Sequence, residues 1–357
     1  MARDCKMHLA TLERIGGRKE CLAGAEKLRE TGACVTALSQ GTQFDPLAVF
    51  RLRRLVRRWL PDVIHAWQPH AQTLLGLAGN RDWPVVATID SWRSDQSSWN
   101  QCWQQRALFR AKKVVVPFTE MATELAPFDL VPDRVVVIPP GVHWEASDAS
   151  ATTVSRRTLL ATVGLPPEAR LIAAAGRITT GRGYRDCIWC EDILSLLFPD
   201  SYLLIFGDGP QRCETEAFNR AMRGWAHTRF VGWRDLGPWW PHIELFFHAD
   251  REPGISMALL EALAAGKPVV ASDTPSHRLF LTDGNNASLA AVDDRTSLAK
   301  CGRRVLRDPL LAQRLSEAGR RTVHERFSLD PFLATYGNLY ANVACSTAPH
   351  SRLIASP

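Results

Sequence analysis

One stretch, residues 248–273, constrains the fold more than any other part of the chain: HADREPGISMALLEALAAGKPVVASD. Residues 257–265 are strong helix formers, Ser256 before them suits the N-cap, and Gly266 suits the end of the helix. Residues 269–271 then predict a short buried strand. The part before the helix has no apolar periodicity, which indicates a loop. A loop that leads into a helix in an α/β chain has free backbone N–H groups and a favourable dipole, so this stretch predicts an anion-binding site.

Glu261 is the exceptional residue of this helix, because its neighbours Leu259, Leu260, Ala262 and Leu263 are all apolar. One interpretation is an ordinary solvent-exposed glutamate. The other is a buried carboxylate, which needs hydrogen-bond donors. A bound ribose or sugar diol would supply two such donors, and the apolar surroundings favour this second interpretation.

A second anion-binding pattern follows the apolar strand that the sequence predicts over residues 170–175. The glycine-rich segment GRITTGRG, residues 176–183, begins at Gly176 and contains two cations, Arg177 and Arg182. Backbone N–H groups and guanidinium groups both bind phosphate oxygens, so such a turn after a buried strand suits a diphosphate. The alternative is a loop with two solvated arginines.

Predicted strands alternate with predicted helices along the chain, and this alternation occurs twice. The pattern predicts the α/β class, with two Rossmann-like, doubly wound parallel-sheet domains that face a cleft. We expect an N-terminal domain over residues 1–147, with a truncated first strand, and a C-terminal domain over residues 148–328. Residues 329–343 predict a last helix, and residues 344–357 predict a disordered tail.

Composition narrows the classes of protein further. The hydrophobic content is 46%, and no apolar run approaches the ~20 residues of a membrane span. The nine cysteines are scattered, and the single CxxC pair, Cys187 and Cys190, has no second pair for a zinc site. An odd, unpatterned set of cysteines indicates a reducing cytoplasm. The formal net charge of +6 fits anionic small ligands or lipid headgroups as well as nucleic acid, so it does not choose among them.

Residues 45–60, DPLAVFRLRRLVRRWL, predict an amphipathic helix with Asp45 as its cap. One face is apolar, and five arginines cover much of the rest. The arginines form the solvated face of a helix that covers a sheet, or the helix lies on an anionic membrane surface, where each basic residue contributes about 1 kcal/mol. We therefore expect a cytoplasmic protein, peripheral to the inner face of the membrane under the second interpretation.

The stretch that begins at Glu252 resembles the C-terminal signature of the GT-B retaining glycosyltransferases of family 4. The segment GRITTGRG resembles the Gly-Arg-Leu…Lys-Gly motif of that family, with Arg182 in the lysine position, and residues 207–210 match its Gly-Asp-Gly-Pro turn. The family usually has two glutamates separated by seven residues, whereas Glu252 and Glu261 are separated by eight. In an ungapped alignment Pro253 occupies the first glutamate position.

The resemblance implies a GT-B enzyme that transfers a hexose-type sugar from a UDP-, GDP- or similar nucleotide sugar to a glycan, lipid or small-molecule acceptor, with retention of configuration. It also implies no cofactor, no metal and no nucleic-acid partner, and a last helix that crosses back to the first domain. The implied catalytic residues are Arg177 and Arg182, which stabilise the leaving β-phosphate, and Glu252, which orients the sugar. Glu261 would hold the ribose. Further implied substrate contacts in the C-terminal domain are Gly176, Asp208, Trp233, Gly254, Ile255, Ser256 and Met257.

Four residues of the N-terminal domain are candidates for substrate contact. Gly16 and Gly17 weakly resemble the Gly-Gly-Ala-Glu sequence of the family, and an ordinary turn between a strand and a helix explains them equally well. His70 lies beyond a strand end that faces the cleft in the family, although a lone histidine is more often structural. Asp90 occupies the place where many members have a cleft histidine that touches the sugar.

Two other functions deserve comparison with this one. A degenerate, non-catalytic nucleotide-sugar-binding protein would explain the shifted glutamate, Asp90 and the poor first strand. A nicotinamide dehydrogenase needs a GxGxxG fingerprint with a downstream acidic residue, and the spacing between Gly176 and Gly183 does not provide one. Product turnover with a panel of UDP- and GDP-sugars separates the transferase from the degenerate binder.

Overall fold

The computed structural model describes residues 6–11, 28–38, 45, 47–79, 82–89, 98–124, 132–143, 154–223, 225–251 and 254–347. Within these ranges, none of the helices combines the length and the hydropathy that a membrane span requires. The chain divides into two compact units, residues 1–139 with 331–357 and residues 140–330. Each unit is built from parallel strands and helices, which confirms the predicted fold class.

The boundary between the units lies at 139/140, whereas the predicted domain ranges meet at 147/148. The cause is a backbone contact of Val142 with the end of the second unit. The Val142 N–H donates to the carbonyl of Phe327 at 2.8 Å. Val142 also forms a parallel bridge with Ser328, so it belongs to the second unit.

The first unit contains one two-stranded and one four-stranded parallel sheet. Strands β1 (His8–Thr11) and β2 (Cys34–Ala37) form the small sheet, and β1 is a short strand of half-buried residues. The larger sheet has the order β3-β4-β5-β6, with strands Ile64–Trp67, Val85–Thr88, Lys113–Val116 and Val135–Val137. The helices described before the boundary are α1 (Leu47–Trp59), α2 (Pro69–Ala78), α3 (Ser98–Arg110) and α4 (Thr119–Glu124).

The second unit contains a six-stranded parallel sheet of order β12-β11-β10-β7-β8-β9. Its strands, from β7 to β12, are Arg170–Ala175, Ser201–Phe206, Thr228–Gly232, Ile243–His248, Val269–Ser272 and Ser288–Ala290. Its helices, from α5 to α11, are Arg156–Thr162, Tyr184–Leu194, Arg212–Ala221, Met257–Ala264, Pro275–Arg278, Arg295–Arg307 and Pro309–Arg326. Short 3-10 turns lie at Thr180–Arg182, Trp225–His227 and Trp240–His242.

The order of this sheet creates a topological switch point between β7 and β10. The chain runs from β7 through β8 to β9 at one edge, and then continues at β10 on the other side of β7. Loops that leave the carboxyl ends of β7 and β10 therefore diverge, and ligands of open α/β sheets bind in the crevice between such loops. Strand burial is nearly complete here: five of the six residues of β7 and five of the six of β10 are buried.

The last helix, α12 (Leu329–Thr347), returns to the first unit and covers one face of its larger sheet. Tyr336, Leu339 and Val343 of this helix pack with Val86 and Val115 of the sheet. The helix continues to Thr347, so residues 344–347 are helical where the sequence predicts the start of a tail. Val343, the predicted last residue of the helix, is buried in the contact with the sheet, and the helix continues beyond it to Thr347.

Candidate functional site

The loops after β7 and β10 meet at the switch point through their backbones. The Arg251 N–H donates to the carbonyl oxygen of Gly181 at 2.8 Å. Gly183 has a positive φ of 61°, and a Cβ at this position would overlap the carbonyl oxygen of Ala249. Any other residue at position 183 would therefore separate the two loops or strain the backbone.

The glycine-rich turn is also packed against the loop after β8. The Gly176 N–H donates to the Phe206 carbonyl at 3.0 Å, and the Ile178 N–H donates to the Asp208 carbonyl at 2.9 Å. Gly207 has a φ of 124°, and a Cβ there would overlap the carbonyl oxygen of Gly176. The glycines of both turns thus allow two backbones to approach closely, which leaves the remaining N–H groups of the turns in fixed directions.

Asp208 shapes the turn in which it lies. Its Oδ1 accepts a hydrogen bond from the Gly209 N–H at 2.7 Å, and its Oδ2 accepts one from Arg212 at 3.2 Å. Both carboxylate oxygens have protein partners. The contact that the resemblance implies between Asp208 and the substrate stays a prediction.

The two arginines of the glycine-rich turn differ in their environment. Arg177 is exposed, and no hydrogen bond or ion pair of its guanidinium is found among the described residues. Arg182 forms an ion pair with Asp250, whose side chain is only 4% exposed. The same Asp250 carboxylate lies 3.5 Å from Nε2 of the buried His248. One cation is therefore free to reach a ligand, and the other is already oriented by the protein.

A second set of ion pairs joins the two loops next to the first. The buried Asp186 carboxylate at the start of α6 pairs with Arg251 and, at 2.5 Å, with Arg295. Arg251 also pairs with Asp293. These partners could not be predicted from the sequence, because they lie on separate segments and form no local motif. A charged residue close behind a buried strand, such as Asp250 two positions after β10, was the one available signal.

Helix α8 begins shortly after the loop that leaves the carboxyl end of β10 at the switch point. Gly254 has a φ of 120°, and its N–H donates to Ser276 Oγ at 3.1 Å. Ser256 occupies the N-cap, as predicted, but its side chain makes no capping hydrogen bond. The first N–H groups of a helix have no acceptor within the helix, so the start at Ile255, Ser256 and Met257 keeps donors for an anion.

Glu261 is half-buried in α8, and no hydrogen bond of its carboxylate is found in the described parts of the chain. Burial raises its pKa above the ordinary value, and the negative charge of Asp235 raises it further. The segment of Trp233 and Asp235 therefore lies near Glu261. The Trp233 side chain is 49% exposed. A diol that donates two hydrogen bonds would stabilise this carboxylate.

Of the predicted substrate contacts in the first unit, the structure describes only His70. His70 is exposed in the first turn of α2. His65 is structural: its Nδ1 and Nε2 lie 2.7 Å from Tyr340 Oη and Thr88 Oγ1, and burial lowers its pKa to about 4. Gly16, Gly17, Asp90 and Glu252 lie outside the described residues. The described residues contain no group of three acidic, histidine or cysteine side chains that could hold a metal ion.

Two family profiles match this chain and together cover most of it. Residues 1–145 match the profile described as Glycosyltransferase Family 4, and residues 170–308 match Glycosyl transferases group 1. The N-terminal segment 1–145 and the C-terminal segment 170–308 are thus both similar to glycosyltransferases.

The similarity to known proteins extends over most of the chain. The lipopolysaccharide core biosynthesis glycosyltransferase LpsE of Rhizobium meliloti is 23% identical over 339 residues, 91% of this chain and 88% of LpsE. The phosphatidyl-myo-inositol mannosyltransferase of Mycobacterium tuberculosis is 29% identical over 83% of this chain and 78% of its own length. The solved structure of Anabaena Alr3699/HepE in complex with UDP-glucose superposes with a TM-score of 0.80 at 17% identity, over 94% of this chain and 99% of HepE.

Proposed function

The chain belongs to the group 1 glycosyltransferases of family 4, with the GT-B fold, and on that premise we propose that it transfers a hexose-type sugar from a nucleoside diphosphate sugar to an acceptor with retention of configuration. The observation that carries the proposal is the convergence of the Gly176–Gly183 turn and the loop after β10, which leads toward α8, at the switch point between β7 and β10. Related folds in the HepE structures hold UDP, glucose and UDP-glucose, which supports a nucleotide-sugar donor here.

In the proposed reaction, the bond between the anomeric carbon and the β-phosphate oxygen breaks. A bond from the acceptor hydroxyl oxygen forms on the same face of the sugar, and the departing phosphate takes the hydroxyl proton. Negative charge grows on the β-phosphate as this bond breaks. Arg177, Arg182 and the first N–H groups of α8 would stabilise that charge. Electrostatic stabilisation of this kind is usually the largest single contribution of an active site to the rate.

The remaining donor contacts follow from the surroundings of α8. We assign the ribose hydroxyls to Glu261, because its half-buried carboxylate lacks a donor among the described residues. The exposed face of Trp233 suits the nucleobase, since aromatic rings stack on bases. We assign the orientation of the transferred sugar to Glu252. The charge of the arginines takes the place of a metal ion, so we expect activity without divalent cations.

The acceptor we propose is a glycan, a lipid or a small molecule. Relatives act in lipopolysaccharide core biosynthesis and on phosphatidyl-myo-inositol, which supports a saccharide or lipid acceptor. The alternative, a degenerate protein that binds nucleotide sugars without transfer, keeps its support from the shifted position of Glu252 and from Asp90.

Incubation with a panel of UDP- and GDP-sugars tests the transfer, with release of nucleoside diphosphate as the readout. Proton NMR of the product gives the anomeric configuration, and an inverted product would exclude the retaining mechanism. Tight nucleotide binding without release from any donor would favour the degenerate binder.

We further propose that α1 contacts an anionic membrane surface. Its solvent-facing side carries Phe50, 65% exposed, within a groove lined by Arg53, Arg54, Arg57 and Arg58. The helix contains no acidic side chain that could neutralise these arginines. An apolar side chain surrounded by cations matches a lipid surface, where the ring enters the interface and the arginines meet headgroup phosphates.

Flotation with vesicles of phosphatidylcholine, alone or with phosphatidylglycerol, tests this contact. We expect binding only to the anionic vesicles, weakened by 0.5 M salt and by the double change Arg54→Glu and Arg57→Glu. The matched control is Arg303→Glu with Arg307→Glu, two exposed arginines on α10. Equal binding of both double variants to the anionic vesicles would contradict the proposal. Binding to RNA and not to vesicles would indicate a nucleic-acid partner instead.

A further inference from the structure

We propose that Asp250 is a positioning residue: its buried carboxylate fixes the Arg182 guanidinium at the switch point, and it acts on the donor only through that arginine. The inference rests on the proposed function, which gives Arg182 the role of a diphosphate ligand.

The first support is the unequal burial of the ion pair. The Asp250 side chain is 4% exposed, whereas 31% of the Arg182 side chain is exposed. A carboxylate buried to this degree is costly without donors, so the arginine is held strongly to it. The guanidinium is planar with five N–H donors in a fixed arrangement. Contact through Nη1 therefore orients the plane of the guanidinium, part of which is exposed.

The second support is the contrast with Arg177. Arg177 is exposed, with no partner found within the described ranges, so binding of a ligand must restrict several of its side-chain torsions. Arg182 has lost this freedom before the ligand arrives. The pair of Arg182 with Asp250 is also electrically neutral as a unit. Arg177 thus supplies most of the electrostatic attraction for a diphosphate. Arg182 presents its guanidinium in a fixed orientation to the β-phosphate, where negative charge grows.

The third support is the fixed position of Asp250 itself. The residue before it, Ala249, has its carbonyl oxygen against Gly183. The residue after it, Arg251, donates its N–H to Gly181 at 2.8 Å. Backbone contacts on both sides therefore hold Asp250 against the segment that carries the arginine, and the ion pair is part of the junction between the two loops.

The test is a double-mutant cycle on the full chain with Asp250→Asn, Arg182→Ala and the combination. Donor turnover and UDP affinity are measured for each protein. Asp250→Asn keeps the shape of the side chain and removes its charge, so we expect kcat to fall roughly 10- to 100-fold, the loss of one charge-assisted hydrogen bond. UDP affinity should stay within about threefold or increase, because a negative charge near the phosphates is gone. A purely structural role would lower both together.

The decisive measurement is the effect of Asp250→Asn on kcat in the protein that already carries Arg182→Ala. If Asp250 acts through Arg182, then Asp250→Asn in the Arg182→Ala protein changes kcat by less than about threefold. A further tenfold loss there would overturn the inference. Asp250→Glu, which keeps the charge, should recover part of the lost kcat, and guards against a folding defect of the Asn variant.

A matched control separates this role from general stabilisation of the loops. Asp186→Asn removes the other buried acid of the junction, which pairs with Arg251 and Arg295. We expect this variant to lower the melting temperature without the split between kcat and UDP affinity. If the wild type releases no nucleotide from any donor, the proposed function fails and the inference fails with it. If the wild type is active, a further tenfold loss of kcat in the Arg182→Ala protein overturns the inference alone.

Discussion

Glu191 gives the most direct test of the electrostatics of the second unit. This residue of α6 is 1% exposed, and its Oε1 accepts a hydrogen bond from Ser201 Oγ at 2.6 Å. Oε2 is buried without a hydrogen-bond partner in the described structure. Burial raises the pKa of Glu191 to about 8, against an ordinary value of 4.5. The hydrogen bond from Ser201 opposes this rise only in part.

The sign of the pH dependence follows from these two pKa values. Between pH 4.5 and about 8 the folded protein keeps a proton on Glu191 that the unfolded chain has released. The folded state therefore binds more protons in this window, and its free energy of unfolding decreases as the pH rises. The gap between the two pKa values of Glu191 corresponds to a loss of about 5 kcal/mol across the window, an upper limit because water entry and local relaxation reduce it.

Glu191→Gln removes this dependence, because glutamine is neutral at every pH and can still accept the bond from Ser201. We expect similar melting temperatures for variant and wild type near pH 4.5, and a growing advantage of the variant up to pH 8. Thermal unfolding at four pH values measures the difference. Glu325→Gln, at an exposed position on α11, is the matched control. Parallel stability curves for wild type and Glu191→Gln would refute the assignment of a protonated buried acid.

Further predictions concern the donor site. Arg177→Ala should weaken UDP or GDP binding by about 1.5–3 kcal/mol, as titration calorimetry would measure, and unchanged affinity would exclude the phosphate site. Glu261→Gln should weaken the nucleotide itself, whereas Glu252→Gln should lower turnover and leave nucleoside diphosphate affinity intact; full activity of Glu252→Gln would mean that another group holds the sugar. Transfer should survive EDTA, and a requirement for added Mn²⁺ or Mg²⁺ would contradict charge handling by arginine alone. Gly183→Ala should lower the melting temperature, because its Cβ would overlap the Ala249 carbonyl.

The parts of the site that depend on local sequence could be predicted. Turn glycines, the apolar strand before Gly176 and the helix formers after Ser256 each act over a few residues, and the structure contains the corresponding turn, strand and helix. Ser256 shows the limit of such patterns. It lies at the predicted N-cap, yet its side chain makes no capping bond, because a cap preference is statistical and the backbone there serves a loop junction.

The ion pairs of the site could not be predicted, because they depend on the order of the strands. Arg182 and Asp250 are 68 positions apart in the sequence. They meet only because β10 lies beside β7, and several strand orders fit the same alternation of strands and helices. His65 illustrates the same point in the first unit. Its partner Tyr340 is 275 positions away, on a helix whose return to the first unit is implied by the family resemblance and not by any pattern around His65.

The return of α12 to the first unit has a consequence for synthesis of the protein. The sheet of that unit is complete once residue 137 has been made, but the face that contains Val86 and Val115 is covered by Tyr336 and Val343. A ribosome must therefore finish the whole second unit before it delivers the cover. During that interval the nascent chain presents an apolar surface, which makes it prone to aggregation.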